Sequence, residues 1–450
     1  MSIKKRRKRK YIIRRIIFLI VCLIFLFLMI KVLILAKNYI VNLFKDDNTI
    51  IDNSNNNGVI YKGLTFDIVD KSEEDSENIS KLFEDGLSLD DFNSILNFKP
   101  TLISSNSKYT PINYNFETKL HYSEIEDLLF NLNNSDIVSL YNIGYSVDKR
   151  AIYGLEIGKG DKVLYLDANI HAAEVASTLF LTRFLAEIVN DYESGDKNII
   201  SILNNVKLAV IPSLNPDGYE VYNFGVDSLS NKELWWYLNK DSINFDNIKS
   251  NANGVDLNRN FPTQNAGMVF KGKKLINNVS LEKTTSSTKY FNGYSVGSEP
   301  ETKAAMYFML KHYKNVYAYI NLHSQGRVIY AGKPNLSDEF NLITSKFASK
   351  VSKITSYKVH GLESEEVGEG NDGSVTDFMA ELANGFSFSS ETGRLYTNRH
   401  INNTCKLEYS YPVITMETLK IWTRDPSYFK DEYYNHGIRE LFLSLLNKDF

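Results

Sequence analysis

Apolar and polar residues follow three regimes along this chain. From Ile16 to Ala36 the sequence is almost continuously apolar, with no polar stripe before Ile30 and Lys31 as its sole charge. At about 1.5 Å per residue the run reaches roughly 30 Å, a bilayer core, and predicts a membrane-spanning helix over 16–36. A buried core helix is the alternative, but such helices usually show a polar stripe. A cleaved leader would have a shorter apolar run, about 7–15 residues, followed by a small-residue cleavage site. From Lys45 to about Lys108, short apolar clusters such as Ile95, Leu96 and Phe98 are separated by Asp, Asn, Ser and Glu. So few apolar side chains hardly offset the entropy of ordering, so residues 37–108 read as a polar stalk with one or two short helices. A small accessory domain is the alternative.

From Tyr109 onward the pattern is that of a packed domain. Ile152–Ile157, Val163–Ile170, Val206–Leu214, Val316–Leu322 and Pro412–Leu419 read as strands. Val175–Val189 reads as a helix with one buried face. Glu301–Lys311 is a helix opened by Ser298 and Pro300, and Tyr433–Leu446 a closing helix. Strands alternating with helices predict one α/β domain over 109–450, with helices on both faces of a mixed, largely parallel sheet.

Charge divides the chain in the same place. Residues 1–37 hold 11 of the 51 Lys and Arg and no acid, which leaves 40 basic against 54 acidic residues beyond them, a formal −14. The basic tail at 1–15 precedes the apolar run, so the positive-inside rule puts it in the cytoplasm and everything after Ala36 outside. Lys31 would snorkel to the outer interface. An acidic outer part argues against nucleic acid as an electrostatically held partner. Cys22 lies in the anchor and Cys405 is the sole cysteine beyond it, so the outer part can form no intrachain disulfide.

Chemistry enters with His171-Ala172-Ala173-Glu174, where a strand gives way to a helix and the three-residue spacing lets an imidazole and a carboxylate converge on one ion. Alone, this pair also fits an ordinary helix start. His323 ends the apolar strand Val316–Leu322, and ligands of open α/β folds bind at the carboxyl ends of strands. By itself it also fits a hydrogen-bonded core histidine. Together, two His and one Glu make a catalytic zinc set with a fourth position open to water. Glu417 interrupts the apolar strand Pro412–Leu419, where a buried acid needs a cation or a proton, and it is the candidate general base. A surface acid on an edge strand is the plain reading of the same residue.

Six ordered motifs carry a family resemblance: Asn169 to Glu174, Asn215-Pro216-Asp217-Gly218-Tyr219, Gly254 to Asn260, Ser298 to Thr302, Leu322-His323-Ser324-Gln325-Gly326 and the Glu417 strand. From about Tyr109 to the C-terminus the chain resembles the zinc carboxypeptidases. The resemblance implies an α/β/α sandwich, one zinc ion on His171, Glu174 and His323, and Glu417 as base. It also implies that Asn258 and Arg259 hold a substrate carboxylate, with Asp256 orienting His171. Two features depart from the family. An Arg usually precedes the Asn-Arg pair to meet the oxyanion, but from Trp235 to Asn258 the cations are Lys240 and Lys249. The Ser374–Met379 stretch resembles the neighbourhood of the family's substrate-covering Tyr and contains none, which leaves Tyr396, Tyr409 and Tyr411 as candidates.

An outward, anchored position and the His-Ser-Gln-Gly run resemble the bacterial branch that cuts cell-wall stem peptides between γ-D-glutamate and a diamino acid. That substrate is the first expectation. A carboxypeptidase that trims protein or peptide C-termini is the second, and an inactive wall-binding protein on the same fold the third.

Overall fold

The computed structural model describes residues 100–105, 107–231, 247–261, 289–293, 297–333, 336–362, 373–384 and 411–447, together with Thr263 and short strand segments at 49–67, 269–274 and 386–397. The basic tail, the predicted anchor and most of the predicted stalk lie outside the described residues. The chain separates into two compact units, Met1–Asp52 and Asn53–Phe450, and the elements that carry chemistry belong to the second. Among the described residues no helix is long and apolar enough to cross a membrane.

In chain order the domain comprises β1 (Thr101–Leu102), α1 (Tyr122–Leu132), β2 (Val138–Tyr145), β3 (Ala151–Ile157), β4 (Lys162–Ala168), α2 (Val175–Glu193), α3 (Lys197–Asn205), β5 (Val206–Ile211) and α4 (Pro216–Phe224). It continues with α5 (Pro300–His312), β6 (Val316–Ser324), β7 (Val328–Ala331), α6 (Asp338–Thr355), β8 (Lys358–His360), α7 (Val375–Asn384), β9 (Val413–Thr418) and α8 (Ile438–Leu446). The nine strands form one sheet in the order β8-β7-β9-β6-β4-β5-β3-β2-β1. The sheet is less parallel than the sequence pattern predicts. β9, β6, β4 and β5 run parallel at its centre and β8 is parallel to β7, whereas β7 against β9 and all the pairings from β5 out to β1 are antiparallel. Hairpins such as β2–β3 need no helical crossover, so helix-strand alternation gives them no signal.

The period-two alternation of the central strands sorts their side chains onto two faces. Leu164, Leu166, Ala168, Ala318, Ile320, Leu322, Ile414 and Met416 pack with α1, α2, α6 and α8 in one core. Val163, Tyr165, Tyr319 and Val413 pack with α5 and α7 in the other. Each fully buried Leu, Ile or Phe contributes ~1.5–3 kcal/mol, so the two cores fix the register of every central strand.

Several predicted boundaries move for local reasons. The strand expected to run to Ile170 ends at Ala168, because Asn169 turns the chain at φ 55, a conformation that Asn tolerates better than most residues. The strand expected to run to Leu214 ends at Ile211, since Pro212 has no N–H for the ladder. The expected closing helix Tyr433–Leu446 is interrupted: Asp431–Asn435 forms a wider π turn and Gly437, at φ 73, starts a new helix at Ile438. A Cβ on Gly437 would sit 2.7 Å from the Ile354 carbonyl oxygen, so α6 closes against this glycine. Thr101–Leu102, within the stretch read as stalk, adds to the exposed edge of the sheet beside β2.

Candidate metal centre and catalytic cleft

Three neighbouring strands bring the predicted residues together. His171 and Glu174 lie just beyond β4, His323 near the end of β6, and Glu417 near the end of β9, all at carboxyl ends of the parallel core. His323 and Glu417 are register partners across β6 and β9. Glu174 stands at the N-terminal end of α2 with its side chain free of the helix backbone, and Ala173 N–H donates to the Ile248 carbonyl at 2.9 Å. Asn169 donates to the His171 carbonyl at 2.9 Å, and Thr418 Oγ1 donates to the His323 carbonyl at 2.8 Å. The backbone beneath both imidazoles is thereby held on both sides of the cleft.

His171, Glu174 and His323 offer ligand atoms within 4.8 Å of one another, and all three side chains are buried. The outer nitrogen of each imidazole faces an acceptor: His171 Nε2 lies 3.2 Å from Asp256 Oδ1, and His323 Nε2 faces Asn321 Oδ1. A neutral imidazole that donates from Nε2 keeps a lone pair on Nδ1. Those Nδ1 atoms lie 2.8 Å from Glu174 Oε1 and 2.8 Å from Glu174 Oε2 respectively. Three lone-pair donors therefore face one point, an arrangement that repels itself unless a cation or extra protons fill it. Glu174 Oε2 and His323 Nδ1 lie 2.8 Å apart, and among the described residues neither makes a well-formed hydrogen bond. Two N and one carboxylate O with an open side are the donor set of a catalytic zinc site, and the residues fit that ion.

The electrostatics follow from crowding. Burial would raise the Glu174 carboxyl, but the two imidazoles hold it well below the usual range. Burial would likewise raise Asp256, and Arg259 and His171 together hold it far down. Burial lowers His323 against the pull of Glu174. His171 is raised on balance, because Glu174 and Asp256 outweigh its burial. Glu417 is pushed well above the carboxylate range by burial and then by the charge of Glu174, with Lys249 opposing. Its Oε2 is buried and, among the described residues, without a hydrogen-bond partner. A carboxylate in that state takes up a proton readily, as a general base must.

The Asp256 segment forms one wall of the cleft. The carboxylate of Asp256 accepts from His171, from the Asn258 and Tyr290 backbone, and from Arg259 Nη1 at 2.9 Å. The Arg259 guanidinium lies over the Tyr290 ring at 5.0 Å. Asn258 Oδ1 accepts from Val375 N–H at 3.0 Å, which leaves its amide N–H groups uncommitted to that contact. Asn258, Arg259, Glu417 and Lys249 are half-buried, whereas His171, Glu174, His323 and Asp256 are buried. The ligands thus form a floor and the polar groups an accessible rim.

The remaining motifs hold that wall in place. Asn215 caps α4 by accepting from Gly218 N–H at 2.9 Å and donates to the Ser250 carbonyl at 3.2 Å. Glu299 and Glu301, at the start of α5, both accept from Asn251, and Glu299 also accepts from Asn253. Asn251 in turn accepts from the backbone of Asn253 and Val255, and so shapes the turn leading into Asp256. Burial, with Asp217 and Glu299 beside it, pushes Glu301 up to about 8.

The two departures noted in the sequence come out differently. Lys240 lies outside the described residues, but Lys249 is within them and next to the metal loop: its carbonyl accepts from Ala172 N–H at 3.4 Å. Its charge acts on His171, Asp256, His323 and Glu417. Of the Tyr candidates, Tyr411 is fully buried with its hydroxyl donating to the Met379 carbonyl, so it cannot cover a substrate. Tyr409 lies outside the described residues, as does the side chain of Tyr396.

Two site residues escaped the sequence reading. Asn321 lies behind His323, and Asp167 lies behind Asn321. The signal for Asp167 was the one used for Glu417, an acid interrupting an apolar strand. Asn321 precedes His323 by two residues and so shares its face of the sheet.

The domain is similar in sequence and in fold to known proteins. The profile of the zinc carboxypeptidase family matches residues 125–409. Carboxypeptidase O of Bos taurus is 27% identical over 333 residues, 69% of this chain and 82% of that protein. Carboxypeptidase A2 of Rattus norvegicus is 30% identical over 291 residues, 62% of this chain and 63% of its own length. For several of these relatives the chain therefore spans less than two thirds of their length. The solved structure of bovine thrombin-activatable fibrinolysis inhibitor with a tick carboxypeptidase inhibitor matches at a TM-score of 0.52 and 19% identity, over 74% of this chain and 99% of that one. Carboxypeptidase A from Helicoverpa armigera matches at 0.52 and 18% identity, over 84% and 81%. At such identity the structures share the fold.

Proposed function

The chain belongs to the zinc carboxypeptidase family, and from that premise we propose that it is a membrane-anchored peptidase acting outside the cell on wall stem peptides. The observation that carries the catalytic part is the convergence of the His171, Glu174 and His323 lone pairs on one buried point beside Glu417. His171, Glu174 and His323 would hold a zinc ion, which would supply a Lewis acid for the attacking water and the scissile carbonyl. Glu417 takes the proton as water attacks and passes it to the leaving amine. Asn258 and Arg259 hold a substrate carboxylate, for which a planar two-pronged guanidinium is well suited. Lys249 supplies the positive charge that meets the developing oxyanion, in place of the Arg the sequence lacks.

Two features of the sequence support the wall substrate: the apolar run after a basic tail, which would put the domain outside, and the His-Ser-Gln-Gly run. The relatives named as carboxypeptidases support a second reading, removal of C-terminal residues from ordinary peptides. Incubating the purified outer domain with defined stem peptides and with ordinary peptides, and identifying products by mass, separates the two. Cleavage at the γ-D-glutamyl bond is expected. Release of C-terminal residues from ordinary peptides alone would overturn the wall reading and leave the metal site intact.

A further inference from the structure

Asp167 is buried behind the metal point, and among the described residues its side chain is held by two neutral donors and no cation. It is fully buried on β4, and its two oxygens accept from Asn321 Nδ2 and, at 2.8 Å, from Tyr319 Oη. Asn321 and Tyr319 are themselves fully buried on β6. Asn321 is the register partner of Asp167 across β6 and β4, so the contact is set by the sheet itself. Burial pushes the Asp167 carboxyl up to about 7, against the two hydrogen bonds. A buried acid held by two neutral donors destabilises the fold relative to an apolar residue, so its place behind the cleft calls for a function.

Its chemistry supplies one. Asn321 Nδ2 donates to Asp167, and an ionised Asp167 can only accept, so in that state the amide of Asn321 turns its NH₂ toward Asp167 and its oxygen toward His323. An oxygen facing His323 Nε2 requires Nε2 to carry the proton. We propose that Asp167 and Asn321 are positioning residues that act in series behind His323, fixing its tautomer so that the Nδ1 lone pair faces the metal point. His171 reaches the same state by a different route, with the carboxylate of Asp256 directly on Nε2. The two imidazoles therefore have unlike partners, a charged one for His171 and an amide backed by a buried carboxylate for His323. Hydrogen bonds from the outer nitrogen orient a ligating imidazole and raise its basicity, and their loss typically lowers metal affinity about 10–100-fold.

This inference rests on the proposed metal site, and the test keeps the two apart. Zinc affinity is measured by chelator competition, and the visible spectrum of the cobalt-substituted domain is recorded, for wild type, His171→Ala, Asn321→Ala and the exchange Asn321→Asp with Asp167→Asn. Zinc-binding wild type with a metal-free His171→Ala establishes the site. Asn321→Ala is then expected to lose about 10–100-fold in zinc affinity with a shifted cobalt spectrum. Its thermal midpoint falls too, because Asp167 loses one of its two donors, so affinity is read well below that midpoint, where the variant is folded. In the exchange, the carboxylate at 321 accepts from His323 and from the new amide, whose oxygen accepts from Tyr319, so affinity should return to within about threefold of wild type. Unchanged affinity and spectrum in Asn321→Ala would overturn the relay while leaving the site standing, as would a folded exchange variant far weaker than wild type. If Asn321→Ala fails to fold, the exchange variant alone decides. Absence of zinc from wild type would instead overturn the site, and the relay with it.

Discussion

Glu174 and Glu417 are both acids beside the metal point, and their surroundings assign them opposite duties. Glu174 is flanked by two imidazoles that keep it ionised, as a ligand must be, whereas Glu417 has a partnerless buried oxygen and a raised carboxyl. Glu417→Gln should retain stoichiometric zinc by metal analysis and lower kcat by about 10²–10⁴-fold with little change in KM. Loss of zinc from that variant would make Glu417 a ligand. His171→Ala, by contrast, removes one of three ligands and should abolish both bound zinc and activity. Lys249 is tested by binding as well as rate: Lys249→Met should lower kcat by about 10²–10³-fold. It should weaken a phosphonate transition-state analogue in parallel, and leave binding of the product peptide unchanged. Equal losses for the analogue and the product would place the Lys249 charge in ground-state binding instead.

α4 approaches the metal loop so closely that its composition is constrained. A Cβ on Gly218 would lie 2.5 Å from the Cβ of Ala172, between the ligands His171 and Glu174. Ala172 has no flexible side chain to move aside, so backbone must shift. Gly218→Ala should therefore cost about 1–3 kcal/mol in urea unfolding, the usual range for overpacking, and weaken zinc in the same variant. A stable Gly218→Ala protein with wild-type zinc affinity would show that α4 can retreat without disturbing the loop. The Asn-Pro-Asp-Gly-Tyr run thus acts through packing: Asn215 caps the helix, Pro216 occupies its first turn, and Gly218 permits the close approach.

Nine basic residues precede the apolar run at 16–36, so the basic tail is expected in the cytoplasm and the acidic domain beyond Ala36 outside the membrane. Protease added to cells with an accessible membrane surface should remove the catalytic domain and leave the N-terminus protected; a shielded domain would reverse the orientation. That expectation comes from hydropathy and charge, as do the α/β class and the placing of His171, Glu174, His323 and Glu417 at strand ends. The α/β class and the four site residues were legible because each rests on local information: a period, a spacing of three, an acid breaking an apolar strand. The antiparallel flank of the sheet was less legible, since a hairpin strand and a crossover strand have the same local pattern. What tertiary structure alone decided is which distant polar groups meet. Asp167 and Asn321 are far apart in sequence, yet the β4–β6 register makes them partners. Lys249, and not an Arg, borders the metal loop because backbone hydrogen bonds from Ala172 and Ala173 hold its segment there. No period in the chain encodes such pairings, because they follow from the alignment of strands, and that alignment is set by the two apolar cores packing together.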